Sequence, residues 1–262
     1  RPSFSRQRMT SMKNDTQPKP PPLGIIFALP IEAHTFERRL GNATKYQGQK
    51  SVIYEGYVSD HLVVWTISGV GRQAARDAAQ LMIDGHQPHT LISAGFAGAL
   101  APDLEHGAVL IPIRILDEHH QCIHTLTPGG HIPFLAEKTG NPKTLITVDS
   151  VITSKEKKAK LRQETHADLV DMESAAVALV APNANVQFLA VRAISDTSEE
   201  TLPPEVSRLS QPQSPMHRFG AALAAITRRP AAITDLWKLW EQGMSCSRTL
   251  ADRLEQIAQT IH

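Results

Sequence analysis

The sequence predicts an α/β protein built on a mixed, mainly parallel central sheet, with a helical tail appended at the C-terminus. Three observations carry this. From Gly24 onward short β-branched runs alternate with helically spaced segments, the pattern of strands joined by helical crossovers. Between two such runs, Arg72 to Gly85 places Ala75, Ala78, Leu81 and Met82 on one face at helical spacing. After Asp196 the pattern gives way to a polar loop with Pro203, Pro204, Pro212 and Pro215, and then to helical segments.

The strands are expected at Gly24 to Leu29, Ser51 to Val58, Leu62 to Ile67, Thr90 to Ala94, Ala108 to Leu116, Lys143 to Val148 and Val186 to Ile194. The crossover helix from Arg72 has a stop signal at Gly85. A second helix, Glu173 to Val180, follows the short apolar stretch Leu169 to Val170, and its alanines permit close packing on a sheet. Tail helices are expected over Arg218 to Thr227, Ala232 to Met244 and Leu250 to Ile261.

With 262 residues, 41% of them hydrophobic and 20% charged, the chain is long enough for one large core. Lys and Arg number 27 against 26 Asp and Glu, so no bulk field favours nucleic acid or an anionic membrane, and a small-molecule substrate fits better. Cys122 and Cys246 suggest no disulfide framework and form no CxxC metal motif, which reads as a cytoplasmic protein. Residues 1–22 carry five basic residues and the run from Pro18 to Pro22 but no signal-peptide core; they are expected to be a disordered extension, with Met9 and Met12 as candidate starts. A catalytic domain is expected over 23–200, and a helical extension packed on it over 201–262.

Residues just past the carboxyl ends of parallel strands line the ligand crevice, and four such places stand out. They are Ala28 to Glu32, Gly95 to Gly98, Val170 to Glu173 and Arg192 to Asp196. Each has a plain structural reading: Glu173 as a helix cap or dipole partner, Asp196 as a loop cap, Glu32 as an exposed first-turn acid. Their joint occurrence points to chemistry between acids.

These residues resemble the purine nucleoside phosphorylase superfamily, and within it the methylthioadenosine/S-adenosylhomocysteine nucleosidases. The resemblance rests on GIIFALPIEA from Gly24, SGVGR from Ser68, SAGFAGALAP from Ser93, VDMESAAVA from Val170 and VRAISD from Val191. It implies a three-layer α/β/α fold and cleavage of the bond between ribose and a purine, with no cofactor and no metal. Asp196 would protonate or hydrogen-bond purine N7, Glu173 would grip the ribose hydroxyls beside Met172, and Glu32 would orient and deprotonate water. Substrate contacts are expected from Phe96, Ala97, Gly98, Val151, Ile152, Ser195 and Arg192. The chemistry is consistent, since the reaction builds positive charge on the sugar and negative charge on the base. An acid working near neutral pH needs a raised pKa, for which the apolar strand before Asp196 is suited.

Phosphorylases of the superfamily hold phosphate with arginines where this chain has Phe96 and the Pro30-Ile31-Glu32 turn, so water is the expected nucleophile; Arg72 and Arg114 keep phosphorolysis open. Phe96 and Val151 depart from the nucleosidase pattern and alter the base pocket. The tail, from LPPEV at Leu202 through Arg218 to Trp240, resembles that of hopanoid-associated nucleosidases, which are thought to release adenine from adenosylhopane. Its stripe of Leu236, Trp237, Leu239, Trp240 and Met244 suits a lipid-nucleoside or a peripheral membrane contact, or simply packs on its own core. A homodimer is implied by the resemblance.

Other classes remain open. Gly69 to Ala74 matches a GxGxxA dinucleotide turn, but the next strand ends in Gly95 instead of an acid. His119, His120, His124 and His131 invite a metal reading without metal-ligand spacing, around a hairpin turn at Pro128-Gly129-Gly130, and solvated histidines are the plainer outcome. A non-catalytic nucleoside-binding protein is the last alternative.

Overall fold

The computed structural model describes residues 21–40, 42–48, 51–126, 142–203, 206 and 232–261, with the backbone alone over 232–239. The expected helix from Arg218, the turn at Pro128 and His131 lie outside them. Among the described residues eleven strands form one mixed sheet. They are β1 (Leu23–Phe27), β2 (Thr44–Gln47), β3 (Val52–Val58), β4 (His61–Ile67), β5 (Thr90–Ala99), β6 (Val109–Leu110), β7 (Arg114–Leu116), β8 (Cys122–Thr125), β9 (Thr144–Thr147), β10 (Leu169–Asp171) and β11 (Gln187–Asp196). The order is β2-β3-β4-β1-β5-β10-β9-β7-β8, with β11 pairing β5 and β6. At its centre β4, β1, β5 and β11 run parallel.

The helices are α1 (Pro30–Leu40), α2 (Arg72–His86), α3 (Lys155–Thr165), α4 (Ser174–Val180) and α5 (Ala232–Thr260). Proline at the first position of α1 lacks only an N–H that the helix would leave unused there. The α2 helix runs past Gly85, because the left-handed turn that ends it falls on Gln87, followed by Pro88. Its buried face is Ala75, Ala78, Ala79, Met82 and Ile83, while Leu81 is exposed.

The run expected as one strand from Ala108 to Leu116 is two. Pro112 has no N–H to continue a ladder, so β6 joins β11 while β7 crosses to β9. The two helices expected at the C-terminus are one, α5, continuous through Ser245-Cys246-Ser247. Tertiary contact explains this: Cys246 and Ser247 are buried, and Ser247 Oγ accepts from Thr35 N at 3.1 Å and donates to Thr35 Oγ1 at 2.9 Å, tying α5 to α1.

One core lies beneath α1 and α5, where Phe27, Phe36 and Trp65 meet Leu250, Leu254 and Ile257, all fully buried. Phe36 meets Trp65 edge-on, and Tyr54 stacks on the indole, whose N–H is satisfied by Glu37 Oε1 at 2.9 Å. A second core lies under α2 and α4, where small alanines let both helices approach the sheet, and a smaller third gathers Leu100, Leu116, Ile146, Ala167 and Val170. Leu254→Ala is expected to cost about 2–5 kcal/mol in urea unfolding. A loss below about 1 kcal/mol would mean that α5 is only loosely held by the sheet domain.

Candidate active site

The site forms where β5 changes neighbours. Along one edge β5 pairs with β1 over Thr90–Ala94 and with β10 at Gly98 and Ala99, so Gly95, Phe96 and Ala97 have no strand partner there. The Phe96 N–H instead donates to Glu32 Oε1 at 2.8 Å. Glu32 Oε2 accepts from the Ala28 and Leu29 amides at 2.9 and 2.8 Å, so the carboxylate sits in a nest of backbone donors at the start of α1. It is buried, not an exposed first-turn acid. Burial pushes its pKa up, against the lowering pull of these hydrogen bonds and of Arg192. A Cβ at Gly95 would lie 2.7 Å from Glu32 Oε1, which is why a glycine stands there.

Across the cleft, β10 delivers Glu173 as the residue before α4, partly buried, its Oε1 accepting from Gly71 N at 2.8 Å. Burial, together with the neighbouring charges of Asp171 and Glu32, pushes its pKa up to about 8. Gly71, at φ 101°, adopts a conformation favouring glycine. The GxGxxA turn therefore spends an amide on a carboxyl group of its own chain instead of on a dinucleotide phosphate.

Behind both acids lies Arg192, which is 2% exposed. Its Nη2 donates to Asp171 Oδ2 at 2.6 Å, Ser93 Oγ at 2.7 Å and Ser174 Oγ at 2.8 Å; Nη1 donates to Ser93 O at 2.6 Å and Nε to Asp171 Oδ2 at 2.9 Å. Glu32, Glu173, Phe96 and Arg192 line one cavity with Ser68 and Ser93.

Asp196 does not line that cavity. It ends β11 opposite Gly98, whose other neighbour is Val170 of β10, so Glu173 and Asp196 leave the two strands that flank one residue. A Cβ at Gly98 would lie 3.0 Å from Asp196 Oδ2. Ser195 Oγ donates to Oδ1 at 2.7 Å and stands 3.3 Å from Ala97 O. The apolar setting expected for Asp196 is not what surrounds it: the buried Lys158 ammonium lies 2.6 Å from Oδ2. Met172 is partly buried between Asp171 and Glu173. Ile152 packs with Leu100 and Val170 beside β10, and Val151 is partly buried before α3; neither lines the cavity.

The comparisons agree with this architecture. A family model described as the phosphorylase superfamily matches residues 22–143 and 141–229. The chain belongs to the phosphorylase superfamily. Among curated members, the 5'-methylthioadenosine/S-adenosylhomocysteine nucleosidase of Staphylococcus epidermidis is 28% identical over 195 residues, 66% of this chain and 86% of that protein. The nucleosidase of the same name from Actinobacillus succinogenes is 26% identical over 200 residues, covering 68% and 86%. The S-adenosylhomocysteine nucleosidase of Streptococcus pyogenes, solved with 5-methylthiotubericidin, superposes with a TM-score of 0.64 at 21% identity, over 91% of this chain and 98% of that one. The futalosine hydrolase of Helicobacter pylori gives 0.62 at 17% identity, covering 90% and 98%. These superpositions share the superfamily fold.

Within this superfamily fold, Lys158 is a neighbour of the acids that the sequence did not single out, and Gly71 and Asp171 lie in motifs that it did while their partners were not readable there. Asp171 adjoins Glu173 in sequence, but nothing local pairs it with an arginine 21 residues later. Lys158 sits in the run Lys155-Glu156-Lys157-Lys158, which reads as a solvated face. Among the histidines, His124 is partly buried: its ring packs edge-on against Phe188, with centroids 5.2 Å apart, and burial lowers its pKa.

Because Glu173 holds its proton more tightly folded (about 8) than at its ordinary value of 4.5, its contribution to stability is whole below 4.5 and is lost as pH rises through about 8. Glu32 shifts in the same direction. The melting temperature is expected to fall between about pH 5 and pH 8.5, and to fall less in Glu173→Gln, whose amide oxygen still accepts from Gly71. Parallel slopes for the two proteins would show that Glu173 does not titrate in this range.

Proposed function

We propose that the chain is an adenine nucleoside N-ribosyl hydrolase of the methylthioadenosine/S-adenosylhomocysteine nucleosidase type. The observation that carries the proposal is the pairing of Glu32 and Glu173 on one cavity, with Asp196 on the adjoining strand end. In this scheme Glu173 grips the ribose hydroxyls and Asp196 serves N7 of the base. Glu32, already satisfied by backbone donors, has its remaining lone pairs for water. Its raised pKa suits a base that must take a proton near neutral pH. Met172, Phe96, Ala97, Gly98, Val151, Ile152 and Ser195 are proposed to shape the sugar and base pockets, and Arg192 to hold the acids through Asp171.

Hydrolysis is favoured over phosphorolysis by where the arginines are spent. Arg192 lines the cavity, but five hydrogen bonds to Asp171, Ser93 and Ser174 occupy its guanidinium. Arg72 is held by Glu118 and, at 2.8 Å, by Asp149. An incoming phosphate would meet Glu32 instead of a free cation.

A lipid-linked adenosine is the second reading. The observation favouring it is α5 crossing the site: a Cβ at Gly243 would lie 2.8 Å from Ile31 Cδ1 and 3.7 Å from Phe96 Cε2. One turn earlier, Trp240 is half exposed. That puts an apolar wall beside Ile31 and Phe96 and extends the proposal to a peripheral membrane contact through α5. Among the described residues no helix is long and apolar enough to cross a membrane. A cytoplasmic homodimer completes the proposal.

Free-base chromatography on 5'-methylthioadenosine, S-adenosylhomocysteine, futalosine and a lipid-linked adenosine, each with and without phosphate, tests these readings. Adenine release independent of phosphate is expected; release only with phosphate would make the enzyme a phosphorylase. Glu32→Gln and Asp196→Asn are each expected to lower kcat by about 10²- to 10⁴-fold in folded protein. Gly95→Ala, which pushes a methyl group onto Glu32, is expected to lower kcat by about tenfold or more.

A further inference from the structure

Four lysines fall within six residues of α3, at positions 155, 157, 158 and 160, and Lys158 is fully buried. A cation in the first turn of a helix opposes the helix dipole, and a buried ammonium without a partner is strongly destabilising, so its setting needs a reason. Its three protons have three destinations. Nζ lies 2.6 Å from Thr197 O, 3.0 Å from Glu200 O and 2.6 Å from Asp196 Oδ2. Asp196 Oδ2 is buried and accepts no hydrogen bond from any other group, while Oδ1 is occupied by Ser195. The segment after β11 is folded around the lysine: Glu200 N donates to Thr197 O, Thr197 N to Glu200 Oε2 at 2.7 Å, and Leu202 N to Thr153 O at 2.8 Å.

We infer that Lys158 is a positioning residue for base departure: it fixes the Asp196 carboxyl group and supplies, through it, the proton that the purine takes up as it leaves. This rests on the nucleosidase reading of the site. The C1'–N9 bond breaks with its electron pair going to the base, and one proton passes from Nζ to Asp196 and from Asp196 to N7. Lys158 is left as a neutral amine whose two N–H groups still satisfy the Thr197 and Glu200 carbonyls, its lone pair facing the carboxylate. Water bonds to C1' and gives a proton to Glu32, and solvent restores both groups. The two carbonyls keep two of the lysine's N–H groups partnered in either state, and the carboxylate then left facing the amine lone pair is what draws a proton back onto the lysine.

Base release from 5'-methylthioadenosine by the full chain, measured for wild type, Lys158→Met, Asp196→Asn and the double variant, tests this. Lys158→Met is expected to lower kcat by about 100-fold or more while KM stays within about threefold. The double variant is expected to be no slower than the worse single one, since both act on one proton. Lys158→Gln, which keeps an N–H donor for the cradle and has no proton to lose, is expected to match Lys158→Met and serves in its place if that protein does not fold. Lys158→Arg, which keeps the charge but does not release a proton, is expected to stay slow. Losses that multiply in the double variant, a kcat within about threefold of wild type in Lys158→Met, or recovery in Lys158→Arg overturns the lysine's role and leaves the nucleosidase reading standing. No base release by the wild type from any adenine nucleoside overturns the nucleosidase reading itself, and this inference with it.

Discussion

A buried backbone N–H must find an acceptor, and β5 leaves one without a strand to provide it. The strand is flanked on one edge by β1 and then by β10, running in opposite directions, and Phe96 falls in the gap between them. A side chain has to complete the ladder, and Glu32 does so. From that one bond follow the burial of Glu32, the requirement for glycine at position 95 and the placing of the cavity at the divergence of β1 and β10.

The site is arranged so that each acid is fixed by a different kind of partner. Backbone amides hold Glu32, and the glycine turn before α2 holds Glu173. An ammonium holds Asp196. The two strongest cations nearby are spent in different ways. Arg192 ties Asp171, Ser93 and Ser174 into a single buried network, so breaking it would strand several polar groups at once. Lys158 faces a single carboxylate, and its other partners are carbonyl oxygens that impose no fixed charge on it.

The opposed pulls on the two glutamates illustrate how environment assigns roles to identical side chains. Desolvation raises both, but only Glu32 has several backbone donors drawing it back, while Glu173 faces two further carboxyl groups. Two acids of one residue type thus share a cavity in different surroundings, backbone donors about Glu32 and carboxyl groups about Glu173.

The α/β class, the crossover helix, the helical tail and the set of acids at strand ends were readable in the chain, because alternation of short apolar runs with helical spacing is a local property. So were Glu32, Glu173 and Asp196 as residues to weigh, since each lies at or shortly after the end of a strand. What the chain alone could not show were relations between distant segments. The break of one expected strand into β6 and β7 depends on which neighbours claim each half once Pro112 interrupts the ladder. The continuity of α5 depends on Thr35 and the core beneath it, and the burial of Lys158 depends on the turn at Thr197 to Glu200 closing over α3. The sequence by itself determined which acids stand at the strand ends; tertiary structure decided what faces each of them, because hydrogen-bond partners and desolvation are set by packing between segments that the order of residues does not bring together.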